Sequence, residues 1–218
     1  MTIPLHPERF LSLYEIYKRI LSVKGAIVEL GVGTGSHLQA FLVLRRLLEP
    51  WYARPIIGFD TFGGGIPSVY DYDQPPADVA LQGAVVGAVD YGDVRDALTA
   101  EAARLSDVYE LPTSFHREGP TFELVRGDIV DTVPEFLDRR PALVVALLSL
   151  DADVYAPTRK GFEYLVPRMP KGGVILFDEL GAMRWPGETV ALQQTLGIRS
   201  LQLERIPWER DQCFAVLT

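Results

Sequence analysis

The chain has 218 residues, enough for one globular domain with a substantial core, and its 48% hydrophobic and 23% charged content is that of an ordinary globular protein. A formal net charge of -8 and a pI near 4.9 exclude nucleic acid as the principal partner, because a phosphate backbone demands a basic surface. The single cysteine, Cys213, excludes an internal disulfide framework and a cysteine-based metal centre, and reads as a small apolar residue of a late strand.

The amino terminus has no basic region followed by an apolar core, and no run of about 18 apolar residues follows anywhere, so the sequence predicts a cytoplasmic protein with no membrane contact. Residues Pro7 to Val23 have Phe10, Leu13, Tyr14, Tyr17 and Leu21 at helical spacing. Gly25-Ala-Ile-Val-Glu-Leu reads as a buried strand. It runs into the turn Gly31-Val-Gly-Thr-Gly and then a helix from Ser36 to about Leu48, stopped by Pro50. Pro55-Ile-Ile-Gly-Phe is a second short strand ending at Asp60. Strand, glycine turn, helix and strand make a βαβ unit of a doubly wound sheet.

From Thr61 to about Gln82 the sequence is irregular, holding Gly63-Gly-Gly, Pro67, Pro75-Pro76 and a run of Tyr and Asp, the character of a binding loop or lid, or of a plain surface excursion. A helix resumes from Asp93 to Leu105. The strand Thr121–Val125 ends at Gly127-Asp128, Val133 to Asp138 is a short helix, and Ala142–Leu150 is an apolar strand covered on both faces. Tyr155 to Val166 is a helix, Gly173–Phe177 a strand ending at Asp178-Glu179, and Arg199–Ile206 with Cys213–Leu217 a closing hairpin. The fold class is therefore α/β: a Rossmann-like, mostly parallel seven-stranded sheet with helices on both faces and a C-terminal antiparallel hairpin. Residues 1–218 form one domain, with an N-terminal helix over 1–24 and a lid or substrate-recognition insertion over 61–118.

Acids stand at or just after five strand ends: Glu29, Asp60, Asp128, Asp151 and Asp178. In open α/β sheets ligands bind beyond those ends. The turn Glu29-Leu-Gly31-Val32-Gly33-Thr34-Gly35-Ser36 has its third glycine one position too early for the dinucleotide spacing G-x-G-x-x-G. Acid-x-Gly-x-Gly-x-Gly instead resembles motif I of class I methyltransferases, and the resemblance implies S-adenosylmethionine (SAM) as cofactor, its methionine part lying against this turn. Asp60, with Thr61 and Phe62 after it, would then accept from the ribose hydroxyls. Gly127, Asp128 and Ile129 would lie beside the adenine, although Gly-Asp is also ordinary turn chemistry.

Leu150-Asp151-Ala-Asp153 and Phe177-Asp178-Glu179 follow two apolar strands that should be neighbours, which would bring Asp151, Asp178 and Glu179 together. Three such carboxylates repel without a cation, and oxygen donors alone select a hard ion, Mg²⁺ foremost. The alternative is that these acids are helix caps in separate loops. A hard cation lowers the pKa of a substrate hydroxyl, and a second carboxylate takes the proton: Asp153, or Asp151 if the metal leaves it free. Asp151 also borders the cofactor.

Together with Phe59-Asp-Thr-Phe-Gly, Gly127-Asp-Ile-Val-Asp-Thr-Val-Pro134, Leu150-Asp-Ala-Asp-Val-Tyr-Ala-Pro-Thr158 and Gly172-Gly-Val-Ile-Leu-Phe-Asp-Glu179, the glycine turn resembles the macrocin O-methyltransferase family, over roughly Lys24 to Leu180. That resemblance implies metal acids at Asp151, Asp178 and Glu179, the last more often aspartate in the family. It also implies methylation of a small-molecule hydroxyl, such as a sugar of a secondary-metabolite pathway, by an enzyme that is often oligomeric. The catechol O-methyltransferases carry a lysine base just after the first metal acid. Val154 stands there, so that mechanism is not expected. Tyr70, Tyr72, Tyr91 and His116 are acceptor-contact candidates or plain loop-packing residues. Two other functions are a nicotinamide-dependent oxidoreductase, opposed by the early third glycine, and a non-catalytic SAM-binding accessory protein, opposed by the intact acids.

Overall fold

A computed structural model describes residues 6–52, 54–63, 71–73, 89–108 and 122–218. Tyr70, His116 and most of the 61–118 insertion lie outside the described residues. The strands are β1 (Ala26–Leu30), β2 (Ile56–Asp60), β3 (Glu123–Arg126), β4 (Val145–Leu150), β5 (Val174–Phe177), β6 (Leu203–Arg205) and β7 (Cys213–Val216). They form one seven-stranded sheet of order β3-β2-β1-β4-β5-β7-β6. The first five are parallel, and β7 runs antiparallel to both β5 and β6, which gives the expected closing hairpin. Strands β1, β4 and β5 are buried at every position, as apolar strands covered on both faces must be.

The helices are α1 (Pro7–Arg19), α2 (Ser36–Leu48), α3 (Tyr91–Val108), α4 (Ile129–Arg139), α5 (Tyr155–Lys160) and α6 (Gly187–Gln194). One apolar cluster packs α1, α2 and α3 on one face of the sheet, around Leu13, Ile16, Phe41 and Leu98. The other packs α4, α5 and α6 on the opposite face, around Phe136, Phe162 and Leu192. Period-two alternation sends Ile27 to the first face and Val28 and Leu30 to the second. Among the described residues, no helix is long and apolar enough to cross a membrane.

Several element bounds differ from the sequence expectation. Helix α4 starts at Ile129 rather than Val133, because Asp128 caps it by accepting the Val130 N–H at 2.9 Å; Pro134 then falls inside the helix. Beyond Lys160, α5 continues as a π turn over Gly161–Leu165 and a 3₁₀ turn over Val166–Arg168. A Cβ on Gly161 would lie 2.8 Å from Leu30 Cδ1, so this segment passes very close beneath the sheet. Helix α6 had no sequence expectation: only eight residues long, with Gly187 at its start, it shows no apolar stripe. Strand β6 is shorter than Arg199–Ile206, since Ile198–Ser200 turns as 3₁₀.

Candidate active site

The five parallel strand tips lie side by side, and the glycine turn rises from the central one. Gly31, Gly33 and Gly35 all have positive φ, at 87°, 50° and 81°. Two of them serve different ends. A Cβ on Gly31 would lie 2.0 Å from the Asp151 carbonyl oxygen, so Gly31 lets the tips of β1 and β4 pass each other. A Cβ on Gly33 would meet nothing within 4 Å. Open space beside a left-handed glycine is where a ligand can approach the backbone. Thr34 is exposed, Ser36 half-buried at the first position of α2, and Val32 5% exposed in the core.

Asp60, at the tip of β2, faces this turn. Its Oδ2 accepts the N–H groups of Val32 at 2.8 Å and Gly33 at 2.9 Å, and its Oδ1 accepts the Phe62 N–H at 2.8 Å. The carboxylate thus shapes the glycine turn directly, a task the sequence did not reveal. Phe62 is buried with φ 46°, its ring 5.1 Å from Tyr91 in an edge-on contact, and Thr61 is half-buried beside it. The Gly127 N–H donates to the Asp60 carbonyl at 2.9 Å, which ties the tip of β3 to that of β2. Asp128 is a helix cap, as noted above, and Ile129 is buried.

Glu29 is fully buried on the α2 face. Its Oε1 is 2.9 Å from His37 Nδ1, which is also 3.6 Å from Asp151 Oδ2. Burial pushes the Glu29 carboxyl up, with His37 opposing, and Glu29 Oε2 finds no hydrogen-bond partner among the described residues. Glu29, His37 and Asp151 each offer a ligand-type atom, and these lie within 4.8 Å of one another. The sequence had placed Glu29 beside the cofactor and had not singled out His37, whose only signal is its position one residue after the glycine turn.

The tips of β4 and β5 adjoin, with Leu150 paired to Phe177 and the Asp178 N–H donating to the Leu150 carbonyl at 3.1 Å. Asp178 is the group the other acids share. Burial, and then Asp178, push Asp151 well above the usual aspartate range, with Glu29 and Asp153 adding to the effect and Arg9 opposing it. Burial and Asp178 raise Asp153 to about 6. Burial, Asp153 and Asp178 raise Glu179 to about 8. Glu188, at the start of α6, is buried and also raised, chiefly by burial and then by Asp178; its Oε1 accepts the Glu179 N–H at 3.2 Å.

Positive charge reaches this cluster from α1, where Arg9 donates to Asp178 Oδ1 and lies 3.4 Å from Glu209. Gln212 Nε2 donates to the same Asp178 oxygen at 2.8 Å. Glu179 Oε2 and Gln212 Oε1 are buried with no hydrogen-bond partner among the described residues. Anionic oxygens that crowd one another, one of them buried and unpaired, are a donor set that suits a hard divalent cation. Among the described residues, however, Asp151, Asp178 and Glu179 do not form a set of ligand atoms within 4.8 Å of one another, as Glu29, His37 and Asp151 do, and Arg9 and Gln212 both hold Asp178 Oδ1.

Of the aromatic candidates, Tyr91 packs on Phe62, and Tyr72 is 47% exposed with its ring 4.7 Å from that of Tyr155. Tyr17 is core: fully buried, with its hydroxyl donating to Glu49 at 2.6 Å. Cys213 sits half-buried in β7, its thiol pushed up to about 12 by burial and by Glu188.

A family model, Macrocin-O-methyltransferase (TylF), matches residues 7–199. Comparison with the curated proteins finds no match. Among solved structures, the calicheamicin methyltransferase CalS11 is similar at a TM-score of 0.81 and 33% identity, over 97% of this chain and 80% of that one. A second CalS11 structure, the apo form of that TDP-rhamnose 3'-O-methyltransferase of calicheamicin biosynthesis, is similar at 0.76 and 29%, over 97% and 81%. The O-methyltransferase NovP shares the fold at 0.70 and 20%, over 97% and 80%. A family match of this extent sets aside the nicotinamide-dependent and the non-catalytic readings. With its glycine turn, its acid-tipped strands and its sheet order, the chain belongs to the TylF macrocin O-methyltransferase family and is a SAM-dependent O-methyltransferase.

Proposed function

We propose that this enzyme methylates a hydroxyl of a sugar, with Asp151, Asp178 and Glu179 holding a divalent cation, Mg²⁺ foremost, and Asp153 as the base. The observation that carries the reading is the carboxyl cluster at the β4 and β5 tips, crowded around Asp178 with Glu179 Oε2 buried and unpaired among the described residues. The sugar class rests on CalS11, a TDP-rhamnose 3'-O-methyltransferase.

The cation, when bound, supplies Lewis acidity that lowers the pKa of an acceptor hydroxyl. Asp153, raised to about 6, is mostly ionised at neutral pH yet more basic than an ordinary aspartate, which suits it to take the hydroxyl proton on a carboxylate oxygen. The turn from Gly31 to Ser36 would receive the methionine part of SAM, with Glu29 beneath it and the open side of Gly33 facing it. Asp60 would take the ribose hydroxyls on Oδ1, which carries fewer backbone bonds than Oδ2, and Asp128 would lie beside the adenine. Methyl transfer is an in-line displacement, so the chain contributes chiefly by holding donor and acceptor in alignment.

The test is methyl transfer from SAM to a panel of sugar nucleotides, free sugars and phenols, with and without chelator. The expected result is turnover of a sugar substrate that chelator abolishes and Mg²⁺ restores. Asp151→Asn should abolish turnover with little loss of SAM binding by calorimetry; turnover that survives this change overturns the metal reading.

A further inference from the structure

Asp153 sits in an uncommon backbone conformation. Its φ is 61°, and the Val154 N–H donates to the Ala152 carbonyl at 2.7 Å. An i→i+2 bond around a positive φ is a γ-turn of the rare, strained kind, at a cost of roughly 1–2 kcal/mol for a residue with a Cβ. Such strain persists only where the surroundings over-determine it. Three fastenings do so here. The Asp151 N–H donates to Leu30 at 2.8 Å, the Thr158 hydroxyl donates to the Val154 carbonyl at 2.9 Å, and Asp73 Oδ1 accepts the Tyr155 N–H at 2.6 Å.

The third fastening comes from far along the chain. Asp71–Asp73 is one 3₁₀ turn in the excursion between β2 and α3, and Asp73 is 1% exposed. Tyr155 is the first residue of α5, and the side chain of Val154, the residue before it, makes no capping hydrogen bond. An uncapped helix start leaves N–H groups that need acceptors, and Asp73 supplies one from 82 residues away. The slot is built tightly: a Cβ on Gly187 would lie 2.0 Å from Asp73 Oδ1 and 2.5 Å from the Tyr155 nitrogen. Tyr72 packs its ring on Tyr155 beside it.

We infer that Asp73 is a positioning residue for this methyltransferase: by capping α5 from the excursion, it holds the strained turn that aims Asp153 at the acceptor. The inference rests on the assignment of Asp153 as the base under the proposed function. Asp73 acts as a hydrogen-bond acceptor, so Asp73→Asn, which keeps an acceptor oxygen, should preserve the role, and Asp73→Ala should lose it.

The experiment uses the full-length enzyme with SAM, TDP-rhamnose as the acceptor probe, and amide hydrogen exchange read residue by residue. For Asp73→Ala the expected result is a kcat lowered roughly tenfold to a hundredfold with SAM affinity unchanged, and faster exchange at both Tyr155 and Val154. Asp73→Asn should restore both readouts. A residue that merely capped the helix would expose the Tyr155 amide and leave Val154, whose bond lies within the γ-turn, protected. Should Asp73→Ala fail to fold, Asp73→Ser, whose hydroxyl ends one bond short of the Tyr155 N–H, keeps a polar side chain in the slot and should give the same signature. The inference is overturned if Val154 stays protected, or if kcat is unchanged in Asp73→Ala while Asp153→Asn is inactive. Full activity in Asp153→Asn would instead sink the base assignment, and Val154 exchange would still decide whether Asp73 holds the turn, whether or not TDP-rhamnose is turned over.

Discussion

Replacing Arg54 with methionine should destabilise the protein by about 4 kcal/mol without touching the strand tips. Arg54 is fully buried and joins three parts of the chain. Its Nε and one terminal nitrogen hold both oxygens of Glu49 at 2.7 and 2.6 Å, a bidentate pair. The remaining hydrogen bonds go to the carbonyls of Ile20 at 3.0 Å, Val23 at 2.9 Å and Gly25 at 2.7 Å, which close the segment between α1 and β1. Methionine fills much of the volume but makes none of these bonds. Glu49, whose side chain is 7% exposed, would keep the Tyr17 hydroxyl as a donor but lose its compensating charge. Removing one member of a buried pair costs about 3–5 kcal/mol, most of it from the stranded partner, against a total stability of about 5–15 kcal/mol. The double change Arg54→Met with Glu49→Gln removes the stranded charge and should recover about half of the loss. Urea unfolding followed by circular dichroism measures both, with an unchanged slope as the check that the folded state is intact. A single-variant loss below about 1 kcal/mol, the level of an exposed pair, would refute the reasoning, as would a double variant no more stable than the single.

The carboxyl cluster makes the cation-free protein sensitive to pH. Asp153 at about 6 and Glu179 at about 8 both lie above the unfolded carboxyl range of ~4, so the folded state binds these protons more tightly. Their contribution to stability is fully present below that range and is lost as pH rises through 6 and then 8. Calorimetric Tm in chelator should therefore fall across that span, and Asp153→Asn with Glu179→Gln should flatten the fall; a Tm that rises instead contradicts the crowding. At the glycine turn, Gly31→Ala should reduce folding yield and Tm, because its Cβ would meet the Asp151 carbonyl. Gly33→Ala has space and should cost only about 1 kcal/mol for its positive φ, yet weaken SAM binding by calorimetry about tenfold or more. Equal SAM affinity in Gly33→Ala and the parent would remove the turn from the cofactor site.

What the sequence determined by itself was what short-range pattern encodes. Apolar runs of four to six residues became the buried strands β1, β4 and β5, and the turn from Gly31 to Gly35 joined a strand to a helix as its spacing required. Acids at strand ends announced a site, because a carboxylate there is costly to the core and useful to a ligand. The alternation of strands and helices implied a mostly parallel seven-stranded sheet, while its order, β3-β2-β1-β4-β5-β7-β6, emerged only with the tertiary structure. Only the tertiary structure decided which groups each acid meets. Arg9 reaches Asp178 across 169 residues, Asp73 reaches Tyr155 across 82, and Arg54 joins Ile20 and Gly25 across 34 and 29. Such pairs leave no period in the sequence, since each depends on how whole elements pack. Asp60 shows the division in one residue: its place at the tip of β2 is legible in the sequence, while its grip on the Val32 and Gly33 amides exists only once β1 and β2 lie side by side.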